Sequence, residues 1–387
     1  MKILQVNPFF APCHGGSAVA PYEISRQLKK MGHEVFFYTS DYKFSPEWAS
    51  NLNGVNVFPF WTAFKKSNFF ITPNIISAAK ATTKMFDAVI LNNYRTFQNI
   101  VVAYYARKYK IPYILEAHGS LPVLMGNNIL KKFFDLQLGL HMLSEATGVI
   151  ALNSTEATQY KSMGVPLEKI HIIPHGIDLS AFNELPPFGE FRSKFGISDQ
   201  KKIILFLGRI HAIKGLDTLI SAFANIAKKF STVQLVIVGP DDGYLNELKI
   251  SVISMGIQNR VIFTGPLYEK EKIEAYVDAD VYVLPSKYEI FGISAIESIA
   301  CGTPVILTKN CGLANDLKDR VGLVFDANSV ADLEAALVDY LTDNQKQELF
   351  RKNCRTMAQK YDIIKRAKAI EALLKKIAAK QPNTKND

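Results

Sequence analysis

Apolar residues in this chain gather into short unbroken runs, Ile203-Ile204-Leu205-Phe206-Leu207 and Val281-Tyr282-Val283-Leu284 among them, and between the runs they recur three or four positions apart. The first pattern belongs to strands buried on both faces, the second to helices that cover them. A chain written this way folds as parallel α/β sheets wrapped by helices. One set of strands is expected at 3–6, 34–39, 88–91, 113–116 and 149–151, with a helix through Ala20, Ile24, Leu28 and Met31 that Gly32 stops. Pro186-Pro187 and Gly189 then mark an irregular linker. A second set follows at 203–207, 234–238, 261–263, 281–284 and 304–307. The simplest architecture is two doubly wound domains, 1–185 and 186–362, facing each other across a cleft. A last helical stretch, from about 332 to 379, is too long for one ordinary helix and is expected to break near Thr342-Asp343-Asn344.

Other classes fall away on composition. A chain of 387 residues is large for one α/β core and comfortable for two. Its opening, Met1-Lys2-Ile3-Leu4-Gln5-Val6, reads as a strand and not as a charged leader with an apolar segment. Arg107, Lys108, Lys110, Lys131 and Lys132 interrupt the longest apolar candidates before they reach the length of a membrane span. Cys13, Cys301, Cys311 and Cys354 lack the pair spacing of a metal site, and a reducing cytoplasm is the expected compartment. The net charge of +9 is concentrated from Gln345 onward, where basic residues outnumber acidic ones by roughly eight. No interleaved basic and aromatic motif, zinc-finger pattern or RNP-like strand accompanies that charge, so nucleic acid is not the expected partner. An anionic membrane leaflet is at least as economical a partner for that charge, while for the last residues, 381–387, a solvated helix face and a disordered tail are the expected reading.

Ligands of an open α/β sheet sit beyond the carboxyl ends of its strands, and the loops there carry chemistry. After the first strand, Gly15-Gly16-Ser17 opens a helix with two glycines, letting backbone approach a diphosphate; the spacing of a dinucleotide fingerprint is absent. After 203–207 comes Gly208-Arg209-Ile210-His211-Ala212-Ile213-Lys214-Gly215, with a planar guanidinium and a point-charge ammonium in one loop, suited to neutralising a departing diphosphate. After 281–284, Glu289-Ile290-Phe291-Gly292-Ile293-Ser294-Ala295-Ile296-Glu297 sets two carboxylates around a glycine that opens a helix, which Cys301-Gly302-Thr303-Pro304 closes. The helix end attracts an anion and the carboxylates can hold hydroxyls on either side of it, the layout of a nucleotide sugar. Asp278-Ala279-Asp280 matches a metal-holding Asp-x-Asp pattern, yet it precedes its strand, at the end where ligands do not bind; no metal is expected there.

Together these pieces resemble the retaining glycosyltransferases of GT-B fold, in particular glycosyltransferase family 4 (group 1). The resemblance rests on the Glu-x7-Glu segment from Pro285 to Val305, Gly15-Gly16-Ser17, His118-Gly119, Pro174-His175-Gly176-Ile177-Asp178, and Gly208-Arg209 with Lys214-Gly215, in that spacing along nearly the whole chain. It implies a C-terminal helix, 363–387 with its tail, that crosses back to the N-terminal domain. It assigns Arg209 and Lys214 to the donor diphosphate, Glu289 to sugar hydroxyls, the backbone of Phe291, Gly292, Ile293 and Ser294 to sugar and phosphate, and Glu297 to the ribose diol. His118 is implied beside the transferred sugar, with catalytic influence. His175 departs from the family's commoner asparagine and reads as a hinge element.

The implied reaction is transfer from a UDP- or GDP-sugar with retention, by a front-face route in which the departing phosphate helps deprotonate the acceptor. No cofactor or metal is implied, since Arg209, Lys214 and the helix end balance the leaving charge. The acceptor then belongs to the first domain. There, the aromatic and basic stretch from Phe60 to Ile71, with Lys65 and Lys66, and Ile129-Leu130-Lys131-Lys132-Phe133-Phe134 have the character of amphipathic interfacial segments, which points to a glycan or lipid-linked acceptor at the inner face of the membrane. Two rivals share the donor site. A nucleotide-sugar 2-epimerase would change the sugar without an acceptor, and a non-catalytic binder would hold it without turnover.

Overall fold

The computed structural model describes residues 1–66, 69–123 and 128–379, the side chains of Cys13 and Asn128 aside. The chain forms two compact units, Met1–Gly176 joined by Ile363–Asp387, and Ile177–Asp362. The division lies earlier than the expected 185/186, and backbone pairing is the reason. Ile177 donates its N–H to the Tyr361 carbonyl at 2.9 Å and bridges to Asp362, while Arg355 donates to the Phe182 carbonyl at 3.0 Å. Residues just past Gly176 are therefore already part of the second unit.

In the first unit the strands are β1 (Lys2–Val6), β2 (Glu34–Ser40), β3 (Asn56–Phe60), β4 (Phe64–Lys66), β5 (Phe69–Ile71), β6 (Ala88–Asn92), β7 (Tyr113–Glu116), β8 (Gly148–Ala151) and β9 (Ile170–Ile172). Seven form one parallel sheet in the order β3-β2-β1-β6-β7-β8-β9, and β4 pairs antiparallel with β5. The central strands β6, β7 and β8 are buried along their whole length, as helices on both faces require. The edge strands β3 and β9 escaped the sequence reading because their burial is partial and Pro59 and His171 interrupt their apolar character.

The helix Ile363–Ala379 is part of this unit's core. Ile363, Ala367, Ile370, Leu374 and Ile377 recur at helical spacing and form one stripe against Ile3, Ile24, Leu28, Val35, Ala88, Ile90, Ile114 and Ile150. Each large aliphatic side chain buried this way contributes about 1.5–3 kcal/mol, so the first unit depends on the end of the chain for its closure.

In the second unit β10 (Lys202–Leu207), β11 (Val233–Val238), β12 (Val261–Gly265), β13 (Val281–Leu284), β14 (Val305–Thr308) and β15 (Gly322–Phe325) pair in parallel in the order β12-β11-β10-β13-β14-β15. Strand order reverses between β10 and β13, where such sheets open a crevice for ligands. The expected break in the last helical stretch occurs at Asp343. It ends the helix Val330–Thr342 and caps Asn344–Ala358 by accepting the Lys346 N–H at 2.9 Å. A further break, the 3-10 turn Gln359–Tyr361, precedes the final helix. Among the described residues no helix is long and apolar enough to cross a membrane.

Candidate functional site

The loops after β10 and β13 meet because of one glycine. Gly215 sits at φ +67° between the 3-10 turn Ala212–Lys214 and the helix Leu216–Lys229, and a Cβ there would lie 2.1 Å from the Pro285 carbonyl oxygen. Only a residue without a side chain lets these backbones approach so closely in a left-handed turn. Lys287 donates its N–H to the Ile213 carbonyl at 2.8 Å and completes the junction. Lys214 Nζ consequently lies 2.6 Å from Glu289 Oε2, joining two of the residues expected to act together. Arg209 is in the same loop but turns to Asp242 at 2.5 Å, an exposed pair.

Gly292, at φ +91°, caps the helix Ile293–Ala300 from the left-handed region, and Cys311 packs beneath it, its thiol donating to the Phe291 carbonyl at 3.2 Å. Burial pushes the Cys311 thiol up to about 12, so it serves as packing and not as a nucleophile. Ser294 shares a 2.6 Å hydrogen bond with the Tyr282 hydroxyl. Glu297, one turn into the helix, accepts from Lys272 at 2.6 Å and from the Tyr276 hydroxyl at 3.2 Å. The unit thus gathers Lys214, Glu289, the backbone from Phe291 to Ser294, and Glu297 around one helix N-terminus, whose first amides have no partner inside the helix. Lys272, Asp242, Tyr276 and Tyr282 went unnoticed in the sequence. Lys272 sits among the charged residues of the helix Glu269–Asp278, and no local signal separates it from them.

Asp278 and Asp280 do structural work at the opposite end of the sheet. Asp278 accepts the N–H groups of Gly189 and Arg192 at 2.7 and 2.8 Å, and Asp280 accepts the Ile203 N–H at 2.8 Å and the Arg192 guanidinium at 3.3 Å.

In the first unit Gly15 has φ +69° ahead of the helix Gly16–Lys30, and a Cβ on it would meet nothing within 4 Å. Asn7 ties this loop by donating to the carbonyls of Phe9 and Ser17 at 2.8 and 3.0 Å. His118 follows β7 at φ +51° with its side chain only 3% exposed. Its Nε2 lies 3.0 Å from Asn92 Oδ1, and its Nδ1 lies 3.3 Å from both His175 Nε2 and Glu116 Oε1. The Arg366 guanidinium, from the last helix, bonds to that same Glu116 oxygen and to the carbonyls of Ile173 and Pro174 at 3.1 and 2.7 Å. Glu156 holds the loop by accepting the N–H groups of Gly119 and Leu152 at 2.7 and 2.8 Å; burial pushes its carboxyl up to about 7 against those two donors. His175, expected as a hinge element, thus has its ring inside this cluster, just before the chain enters the second unit.

Among the described residues Glu116, His118 and His175 bring potential ligand atoms within 4.8 Å of one another. The donor set does not suit a cation, because the fixed charge of Arg366 already occupies the carboxylate.

Residues 14–181 match the model of Glycosyltransferase Family 4, and residues 187–357 that of Glycosyl transferases group 1. The alpha-monoglucosyldiacylglycerol synthase of Streptococcus pneumoniae is 30% identical over 83% of this chain and 74% of its own length. An uncharacterised glycosyltransferase of Methanocaldococcus jannaschii is 28% identical over 91% of this chain and 94% of its own. In fold, the Anabaena protein HepE, solved with UDP and glucose, superposes with a TM-score of 0.82 at 20% identity, covering 97% of this chain and all of that one. With two parallel-sheet Rossmann-like units and a family match along both of them, the chain belongs to the family 4, group 1, glycosyltransferases of GT-B fold.

Proposed function

We propose that this glycosyltransferase moves a sugar from a nucleoside diphosphate to an acceptor hydroxyl with retention at the anomeric carbon and without a metal or other cofactor. The observation that carries the reading is the Lys214–Glu289 pair, at 2.6 Å, beside the helix that Gly292 opens and that bears Glu297. A diphosphate arriving at that helix end draws Lys214 toward it and frees Glu289 for sugar hydroxyls. Arg209 leaves its exposed partner for the same phosphates, and Glu297 takes the ribose diol. In the transfer the bond from the anomeric carbon to the phosphate oxygen breaks, with its electron pair going to the leaving nucleoside diphosphate. The acceptor oxygen bonds to the same face of that carbon, and its proton passes to the leaving phosphate. Lys214, Arg209 and the helix amides stabilise the charge that grows on the departing group. His118 is assigned a place beside the transferred sugar, and Gly15 with Gly16 to close backbone approach.

UDP and GDP are the proposed donor nucleotides, and HepE's binding of UDP favours the first. The acceptor is proposed as a lipid-linked or membrane-proximal glycan, in line with the diacylglycerol glycolipid made by the streptococcal relative. The helix Asn128–Phe134 supports this placement with exposed Ile129, Leu130 and Phe133 beside Lys131 and Lys132. The segment expected to share that interfacial character gives it less support: β4 and β5 pair as strands, Phe70 is buried, and Lys65 bonds to the Tyr42 hydroxyl at 2.5 Å. Its residues 67 and 68 lie outside the described chain. Work at the inner face of a membrane, from the cytoplasm, follows from this reading.

Titration calorimetry with UDP, GDP and ADP, each with and without magnesium, tests the donor site. Micromolar binding of one nucleotide, unaffected by metal and lost in Arg209→Ala/Lys214→Ala, is expected. Absence of binding to all three overturns the proposal.

A further inference from the structure

The cluster around His118 contains two charges that no motif announced, Glu116 and Arg366, and their arrangement fixes how the histidine can be protonated. The Asn92 amide donates through Nδ2 to Gln5 Oε1 at 2.7 Å and to the Val6 carbonyl at 3.1 Å, so its Oδ1 is the atom turned to His118. His118 Nε2 must therefore carry a proton. When the ring is neutral, Nδ1 is bare and accepts from His175 Nε2–H at 3.3 Å, the two rings lying within 7° of parallel. Glu116 Oε1 stands 3.3 Å from His118 Nδ1 and 3.8 Å from His175 Nδ1. A lone carboxylate in that place would draw a proton onto one of these nitrogens. Arg366 instead supplies the positive charge, from a side chain 2% exposed and held by two further carbonyls.

We infer that Arg366 and Glu116 are positioning residues of the transfer site, a buried charge pair that keeps the His118–His175 couple uncharged and in one tautomer. The inference rests on the assignment of His118 to the sugar. It supplies the reason for an uncharged ring there: the anomeric carbon gains positive character as the phosphate departs, and an imidazolium beside it would oppose that charge. The groups facing the couple are consistent. Glu116 comes from the end of β7, Arg366 from the last helix, and Glu156 from the helix Ser154–Ser162, where it bonds to Gly119 next to His118; the Tyr160 hydroxyl accepts the Ala117 N–H at 2.9 Å. Burial lowers the His118 proton affinity, Glu116 opposes that, and Arg366 lowers it further; for His175, burial, Arg366 and His118 all act downward.

Selective 15N labelling of the seven histidines of the full chain, with imidazole signals assigned through His118→Gln and His175→Gln, tests the inference between pH 5 and 9. In the native protein His118 is expected neutral, protonated on Nε2, around neutral pH. Arg366→Met is expected to raise the pH at which the couple titrates by about 1–3 pH units, and Arg366→Met/Glu116→Gln to reverse that rise. A merely structural loss would not be repaired by the second substitution. In turnover, Arg366→Met should acquire an acid limb in kcat that the double variant lacks, with KM for the nucleotide sugar little changed. A charged His118 in the native protein at pH 7, or a couple whose titration ignores Arg366→Met, overturns the inference. If Arg366→Met does not fold, the native titration and Glu116→Gln, which should drive the couple's protonation to lower pH, decide it alone. If the rings titrate as expected while kcat ignores their charge, the positioning role is overturned. The donor-site reading, tested by nucleotide binding, then stands apart.

Discussion

The two units carry charge at the carboxyl ends of their sheets on opposite plans. In the second unit Lys214–Glu289 and Lys272–Glu297 are partly exposed pairs, and Arg209–Asp242 is more exposed still. In the first, Glu116 and Arg366 are sealed, at 3% and 2% exposure, with two histidines packed between carboxylate and amide. A pair at the edge of water is weakly bound and exchanges partners readily, which is what the proposed capture of a diphosphate by Lys214 requires. A desolvated pair holds its geometry because separating it strands a charge. The contrast separates charges placed to move from charges placed to hold a neighbour still.

Arg366→Met is the strongest test of that contrast. Stranding Glu116 should cost about 3–5 kcal/mol in chemical denaturation, and native-like stability would show that the buried pair holds nothing. Next in size, Lys214→Ala should lower turnover by about 10²–10³-fold while leaving the melting temperature near that of the parent. A stability loss matching that of Arg366→Met would erase the distinction between the units.

Two glycines sharpen the comparison at the backbone. Gly215→Ala drives a methyl into the Pro285 carbonyl from a left-handed φ and should cost about 1–3 kcal/mol from overlap alone, with nucleotide affinity falling as Lys214 shifts. Gly15→Ala faces open space, so only the conformational cost of its φ +69°, ψ −153° backbone remains, about 1–3 kcal/mol, with no overlap added to it. Equal losses in denaturant titrations would contradict the close packing at Gly215.

Between pH 5 and 7 the pH dependence of stability bears on the buried groups of the first unit. Burial and Arg366 hold His118 and His175 below the ordinary imidazole range in the native state, whereas the unfolded chain takes up protons below about pH 6.5, so their contribution declines as pH falls through that value. Glu156 has the opposite sign. Its carboxyl keeps its proton up to about 7 against 4.5 unfolded, so its contribution is full below 4.5 and is lost as pH rises through 7. Glu156→Gln should therefore steepen the loss of stability between pH 7 and 5. A shallower decline would contradict the assigned directions. The smallest effect is expected at Arg209→Ala, whose exposed pair is worth at most about 1 kcal/mol in stability; its consequence should appear in nucleotide binding instead.

What was readable in advance follows the range of the physics. The buried strands, the helix that Gly292 opens, and the spacing of Glu289 and Glu297 are local patterns, and all could be read along the chain. The switch at Asp343 was legible for the same reason, since an aspartate that ends one helix caps the next through its own neighbours. Strands β3 and β9 lack a continuous apolar signature, and β15, apolar along Gly322–Phe325, is only four residues long and follows a turn. The segment around Lys65 and Lys66 has an aromatic and basic composition that suits an interfacial face, but composition alone leaves its secondary structure open. Strand pairing decided the matter.

The sequence by itself determined two parallel α/β units and one glycine-opened helix end flanked by carboxylates, because burial on two faces and helix capping are written within a few neighbouring residues. Tertiary structure alone decided which charges became partners. Lys272 reached Glu297 across 25 positions and Arg366 reached Glu116 across 250, through the meeting of separate helices and strands. A charge carries no mark of its distant partner in its own neighbourhood; desolvation selects the pair only once the fold has brought both groups out of water.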